Sequence, residues 1–236
     1  MIRALIVEDE PHARLELEAL LRETGAFEVV GACGNAIEAL KAIRRTRPEV
    51  LFLDIQMPIV GGFELLSMID ASLMPHVVFV TAYDEYALKA FEEKTLDYLL
   101  KPVDGERLDK TVAKLRTLLA RPVQPVYATP PLKRIPCLRG SRIKLVPVSE
   151  VELVRSDAAG VYLVAAEGEF FTELTLKVLE DRGGLVRCHK QYLVNLDRID
   201  EIALHENGQG EIRTQSGKTL PVSRRYLKVL KERLDL

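Results

Sequence analysis

The chain has 236 residues, 47% hydrophobic and 29% charged, and its 33 Lys+Arg against 35 Asp+Glu leave a formal net charge of −2. That balance excludes a disordered chain, and no apolar run reaches the roughly 20 residues a membrane-spanning helix requires, so the chain is not expected to be embedded in a membrane. Cys33, Cys137 and Cys188 are odd in number, far apart and without a CxxC pair, so neither a disulfide scaffold nor a zinc site is indicated.

The first half alternates short apolar runs with helical periodicity. Residues 4–7, 29–30 with their neighbours, 50–53, 77–80 and 98–100 have the length and the branched or aromatic content of strands buried on both faces. The first run passes directly into Glu8, Asp9 and Glu10, without the longer apolar core and small-residue cleavage site of a signal peptide, so a reducing cytoplasm is the expected setting. Between the runs lie amphipathic stretches. Leu15, Leu17, Leu20 and Leu21 line one face of residues 13–21. Asp104 stands as N-cap to another helix, in which Leu108, Val112, Leu115, Leu118 and Leu119 recur at helical spacing. Five strands alternating with helices predict an α/β domain with a doubly wound, five-stranded parallel sheet. Its right-handed crossovers place functional groups at the carboxyl ends of the strands.

Residues 121–131 hold four prolines, which fix φ and restrict the residues before them, and so predict an extended, semi-rigid linker. Charge changes across it. Residues 1–121 carry 15 basic and 20 acidic residues, a net of −5, and residues 122–236 carry 18 and 15, a net of +3. The organisation expected is a first domain over residues 1–120, a linker over 121–132 and a second domain over 133–236. In that second domain the apolar runs at 143–148, 161–164, 192–194 and 211–214 are short, and glycines such as Gly140, Gly160, Gly168, Gly184 and Gly217 punctuate them. The pattern predicts a β-rich domain with two helices, one near residues 175–181 and one opened by Ser223.

In the doubly wound sheet Glu8 and Asp9, Asp54, Thr81 and Lys101 all end strands and converge on one rim. Crowded carboxylates repel one another, and a hard divalent cation with oxygen ligands compensates them; Mg²⁺, which also takes phosphate oxygens, suits the set. With the Lys101 cation and the Thr81 hydroxyl, these groups would stabilise a phosphoryl group on a carboxylate. Taken alone, Glu10 reads as a helix-capping acid and Tyr98 as a half-buried sheet tyrosine, while Lys101-Pro102 is a candidate cis peptide.

Glu8-Asp9, Asp54 followed by Met57-Pro58, Thr81-Ala82, and Tyr98 before Lys101-Pro102 together resemble the receiver domain of two-component response regulators, a flavodoxin-like fold, over about residues 1–120. The resemblance implies that Asp54 is the phosphoacceptor. It implies that Asp9, Asp54 and the Gln56 carbonyl bind Mg²⁺ directly while Glu8 acts through water. Thr81 and Tyr98 match the switch pair and Lys101 the phosphate-sensing lysine. A kinase phosphohistidine then donates to Asp54, Thr81 moves towards the new group, and Tyr98 turns into the vacated space, changing the face of the helices that flank the fifth strand. Tyr83 and Tyr86 are left as surface or packing residues.

In the second half, Ser223 opens the last helix, with Arg224 and Arg225 in its first turn. Free N–H groups and two arginines make an anion site that suits phosphate; the alternative is that both are solvated or ion-paired. His189 has no partner at ligand spacing and reads as a hydrogen-bonded structural histidine, and Cys188 as packing. Residues 187–195, 199–202, 220–226 and 171–176 resemble the LytTR DNA-binding domain, over about residues 133–236. The resemblance implies an elongated β-rich fold whose loops enter successive major grooves. Lys190 and Arg225 then fall at base-reading positions, the turn carrying Val161 and Tyr162 supplies a third contact, and Arg187, Gln191 and Arg224 meet phosphates. Val161 stands where some relatives carry a polar side chain.

The function expected is therefore a transcriptional regulator, not an enzyme, switched by phosphorylation and dimeric on promoter DNA. A LytS-like membrane sensor histidine kinase is its expected phosphodonor. Two rivals are a Mg²⁺-dependent phosphatase and a receiver with a protein-binding output domain. The phosphatase reading lacks a second carboxylate two residues beyond Asp54, where Gln56 stands.

Overall fold

The computed structural model describes residues 1–82, 97–120, 125, 127, 129–140, 142–205 and 208–234. Tyr83 and Tyr86, and one of the two helices expected to flank the fifth strand, lie outside the described residues. The chain divides into two compact units, Met1–Thr129 and Pro130–Leu236.

The first unit is the predicted α/β sheet. Its elements are β1 (Ile2–Val7), α1 (Pro11–Glu23), β2 (Phe27–Cys33), α2 (Ala36–Thr46), β3 (Val50–Leu53), α3 (Gly62–Met68), β4 (His76–Thr81), β5 (Asp97–Leu100) and α4 (Gly105–Leu119). The five strands are parallel, in the order β2-β1-β3-β4-β5. Every residue of β3 and β4 is buried, which is why these strands read as unbroken apolar runs. On one face, Leu17 and Leu21 of α1 and Leu108, Val112 and Leu115 of α4 pack on Ala4, Ile6, Phe52 and Val80. Phe27 meets Phe52 edge-on, with ring centroids 5.3 Å apart. Asp104 caps α4, its side chain accepting from the Arg107 N–H at 2.9 Å, and the Lys101-Pro102 bond is cis. A Cβ at Gly62 would collide with the Asp54 carbonyl, so only glycine lets α3 start against the chain leaving β3. Tyr127 belongs to this unit: its buried hydroxyl accepts from the Val77 N–H at 2.8 Å.

The second unit holds β6 (Arg134–Arg139), β7 (Arg142–Pro147), β8 (Val151–Asp157), β9 (Gly160–Ala165), β10 (Gly168–Thr172), α5 (Leu176–Gly183), β11 (Val186–His189), β12 (Tyr192–Val194), β13 (Ile199–Leu204), β14 (Gly210–Thr214), β15 (Thr219–Val222) and α6 (Arg224–Arg233). Seven antiparallel strands run in the order β11-β12-β8-β9-β10-β6-β7, and β13-β14-β15 form a separate sheet. Leu153, Val164, Cys188 and Val194 of the large sheet share a core with Ile212, Leu220 and Val222 of the small one and Leu230 of α6. The buried carboxylate of Glu152 ties the two sheets, accepting from the Thr214 hydroxyl at 2.7 Å and the Ser216 hydroxyl at 2.5 Å. Both expected helices are present.

Candidate functional site

The carboxyl ends of β1, β3, β4 and β5 meet at one rim of the parallel sheet, because right-handed crossovers run all four strands the same way. Glu8 and Asp9 follow β1, and Asp54 follows β3 directly, its N–H held by the Val7 carbonyl at 2.9 Å. Carboxylate oxygens of Glu8, Asp9 and Asp54 all lie within 4.8 Å of one another, with Glu8 and Asp54 buried. Lys101 answers this charge. Its Nζ lies 2.8 Å from Asp54 Oδ2 and 2.6 Å from Glu8 Oε2. The Gln56 N–H donates to Asp54 Oδ1 at 3.1 Å, which orients the carboxylate and places the Gln56 backbone at the site. Thr81 ends β4 with its side chain buried, and its carbonyl accepts the Lys101 N–H at 2.9 Å. The rim therefore gathers Glu8, Asp9, Asp54 and Lys101 into direct contact or close range and brings Thr81 onto the neighbouring strand end.

Burial pushes the Glu8 carboxyl above its ordinary value; the Lys101 hydrogen bond pulls it back, and the nearby Asp54 charge adds to the rise. Burial alone would depress the Lys101 ammonium, but its bonds to Asp54 and Glu8 outweigh it and hold the pKa above the usual lysine value. The lysine is thus a fixed cation. All-oxygen donors at this spacing suit a hard divalent ion such as Mg²⁺.

Tyr98, in β5, is half-buried; the Arg107 guanidinium sits 5.6 Å from its ring centroid and donates to its carbonyl at 3.0 Å. Two features escaped the sequence reading. Arg14 of α1 reaches back to the backbone of the acidic bend. Arg107 and Thr111 of α4 bind the buried carboxylate of Asp97. Neither follows a motif spacing; the signal was only a cation on a helix adjoining the rim.

In the second unit Lys190 and Gln191 are exposed in the turn between β11 and β12, and Arg224 and Arg225 are exposed in the first turn of α6. The Ser223 N–H donates to the Cys188 carbonyl at 3.0 Å, which sets that helical turn beside the Lys190 turn. Ser223 is the N-cap residue, yet its side chain makes no cap bond. Arg187 is half-buried and engaged: its Nε lies 2.7 Å from Glu180, and Nη1 3.4 Å from the Lys190 carbonyl, so it braces the turn. His189 Nδ1 accepts the Gln191 N–H at 3.2 Å, the hydrogen-bonded structural role expected of it. Val161 and Tyr162 are half-buried in β9. Tyr162 packs on Phe171 at 5.6 Å, and Arg155 lies 4.3 Å from its ring centroid, itself paired with Glu169 at 2.8 Å.

A parallel sheet with an acid rim answered by a lysine, followed by a β-rich unit presenting exposed basic turns, is the arrangement expected of a DNA-binding response regulator. The comparisons agree. The family profile "Response regulator receiver domain" matches residues 4–113, and "LytTr DNA-binding domain" matches residues 141–235. An "uncharacterized response regulatory protein" of Vibrio cholerae is 54% identical over 99% of both chains. The transcriptional regulatory protein BtsR of Escherichia coli is 52% identical over the full length of both. Among solved structures, the response regulatory domain of protein mrkE from Klebsiella pneumoniae is 34% identical, covering 50% of this chain and 98% of that one with a TM-score of 0.44. The chain belongs to the response regulators that join a receiver domain to a LytTR DNA-binding domain.

Proposed function

We propose that Asp54 accepts a phosphoryl group from the phosphohistidine of a sensor kinase, and that this modification controls how the second unit binds promoter DNA. The observation that carries the reading is the Lys101 ammonium, 2.8 Å from Asp54 and 2.6 Å from Glu8 at the end of the sheet. As an Asp54 carboxylate oxygen bonds to phosphorus, the phosphorus–nitrogen bond of the donor breaks and its electron pair returns to the imidazole. Lys101 neutralises charge on the transferring group and the Gln56 N–H holds the nucleophilic carboxylate. Glu8, Asp9, Asp54 and the Gln56 carbonyl would hold Mg²⁺, which when bound supplies further charge neutralisation at the phosphoryl oxygens. Thr81 and Tyr98 carry the response away from the site, and the added −1.5 to −2 charges bias the two-state equilibrium.

In this reading residues 1–120 receive, 121–132 link and 133–236 bind DNA. Lys190 and Arg225 meet base edges, and Val161 and Tyr162, at the start of β9, supply a third contact. Arg224, Gln191 and Arg187 meet phosphates, Arg187 only by exchanging its Glu180 pairing. The protein works in the cytoplasm, receives its phosphoryl group from a LytS-like membrane kinase, and pairs on phosphorylation to occupy repeated half-sites, since linked modules bind far better than single ones. The test is Asp54→Asn. It abolishes incorporation from radiolabelled acetyl phosphate and removes the phosphodonor-dependent strengthening of a promoter footprint. Labelling equal to that of the unaltered chain overturns the assignment.

A further inference from the structure

We propose that Arg14 is a positioning residue for the phosphoacceptor site, holding the acidic bend after β1 so that the Asp9 carboxylate stays against Asp54. The proposal rests on the reading of Asp54 as phosphoacceptor. Arg14 lies in the first turn of α1, half-buried, and its Nη1 donates to the Glu8 carbonyl at 2.6 Å and the Asp9 carbonyl at 3.3 Å. The guanidinium also passes over the turn after β2. A Cβ on Gly34 would stand 3.4 Å from Nη1, an ordinary contact distance that places the guanidinium against this turn.

The two acids of the bend are secured very differently. Glu8 has its N–H on the Cys33 carbonyl at 3.0 Å, its carboxylate on Lys101 at 2.6 Å, and the Glu10 N–H on its Oε1 at 3.2 Å. For Asp9, among the described residues, the bond from Arg14 is the one anchor. Three carboxylates with oxygens within 4.8 Å repel one another, and the easiest relief is to swing the least-restrained one outwards. That one is Asp9. A charged donor on its own carbonyl and on the preceding one opposes the swing at the backbone, and charge-assisted bonds are the stronger kind. Arg14 bonds the backbone of Glu8 and Asp9 and acts on the site through them.

Two opposing effects make the test decisive. As a mere charge, Arg14 repels a divalent cation, and its removal would tighten Mg²⁺ binding. As a positioning residue, its removal loosens Asp9 and weakens binding, by about tenfold on the scale of outer partners of metal ligands. Mg²⁺ is titrated calorimetrically into the full-length unphosphorylated chain and into Arg14→Met, which keeps the apolar stem, and Arg14→Lys, which keeps the cation and donor hydrogens. Thermal melts without Mg²⁺ verify that each variant is folded. Arg14→Met raises the Mg²⁺ Kd about tenfold, and Arg14→Lys recovers more than half of that loss. In acetyl phosphate labelling, the Mg²⁺ concentration for half-maximal incorporation shifts by the same factor while the plateau at saturating Mg²⁺ is kept. An unchanged or tightened Kd in folded Arg14→Met overturns the proposal while leaving Asp54 in place. Full labelling of Asp54→Asn removes the phosphoacceptor reading and this proposal with it.

Discussion

Ile59, five residues beyond Asp54, has φ +73° and a side chain 55% exposed, and the Val60 N–H reaches back to the Pro58 carbonyl at 2.8 Å. A bond from residue i to i+2 around a positive φ is the strained form of the γ-turn, and branching at Cβ makes it costlier. Strain of this kind is worth about 1–3 kcal/mol, and an exposed side chain recovers little of it by burial. Ile59→Gly removes the strain and adds roughly 0.5–1 kcal/mol of unfolded-chain entropy. The net expectation is a gain in stability of about 1 kcal/mol, visible as a raised Tm in thermal unfolding; a lowered Tm would refute the strain. The turn was silent in the sequence, because neither periodicity nor composition reports the sign of a dihedral angle. By contrast Asp54 and Lys101 were legible, since strand ends in a parallel sheet share one rim and opposite charges there meet. Arg14 was not, because it bonds backbone carbonyls and so leaves no side-chain pairing to read. Arg187 was read as a phosphate contact without its Glu180 partner, which α5 supplies from seven residues earlier.

Between elements, a buried polar tie in the first unit joins β5 to α4. Asp97 opens β5 with its carboxylate buried, and α4 surrounds it with Arg107 at 3.1 Å, Thr111 at 2.9 Å and Lys114 at 3.9 Å. Burial alone would raise its pKa, but the bonds from Arg107 and Thr111 and the Lys114 charge overcome burial and hold it below the usual 3.8. A carboxyl with a depressed folded pKa contributes stability that is complete above its unfolded value and lost as pH falls through the folded one. Asp97→Asn therefore lowers stability at pH 7, by about 1–2 kcal/mol once the partly exposed Arg107 is discounted for screening. The variant also shows a shallower loss of stability below pH about 4. Urea midpoints at pH 7 and pH 3 measure both effects, and parallel shifts at the two pH values would count against the tie. The strand itself was legible from its apolar run, as was β3, whose four residues are all buried. The partner was not, since helical spacing marks Leu108, Val112 and Leu115 as the inward face and says nothing of which polar side chain beside them reaches a carboxylate. In the second unit short apolar runs punctuated by glycines marked a β-rich domain and four of its strands, but their order in the seven-stranded sheet and the separation of β13-β14-β15 depend on long-range pairing that local pattern does not encode.

For the whole molecule, function requires that a unit carrying net −5 over residues 1–121 control one carrying +3 over residues 122–236. A net of +3 is too small to drive DNA binding through overall charge, so affinity must come from local placement. The bond from the Ser223 N–H to the Cys188 carbonyl, 3.0 Å, sets exposed Arg224 and Arg225 beside exposed Lys190, the placement on which the proposed DNA surface rests. Arginines on the positive end of a helix dipole are mildly unfavourable in the free protein, and an incoming phosphate relieves them. If Arg224 meets a phosphate and Arg225 a base edge, their removal has separable signatures. Arg224→Ala weakens binding by a similar factor on promoter and unrelated duplex and flattens the slope of log K against log salt by about 1, one counterion fewer being released. Arg225→Ala costs about 1–3 kcal/mol on the promoter, much less on unrelated DNA, with the salt slope nearly kept. Both variants are expected to label as the unaltered chain does, because the proposed phosphoacceptor, Asp54, and Lys101 belong to the first unit. Fluorescence anisotropy across a salt series, with both duplexes, measures slope and discrimination together. If both substitutions change the slope alone, the helix positions the protein without reading sequence, and discrimination must lie with Lys190 and the start of β9. If neither changes binding, the first turn of α6 is not a DNA surface.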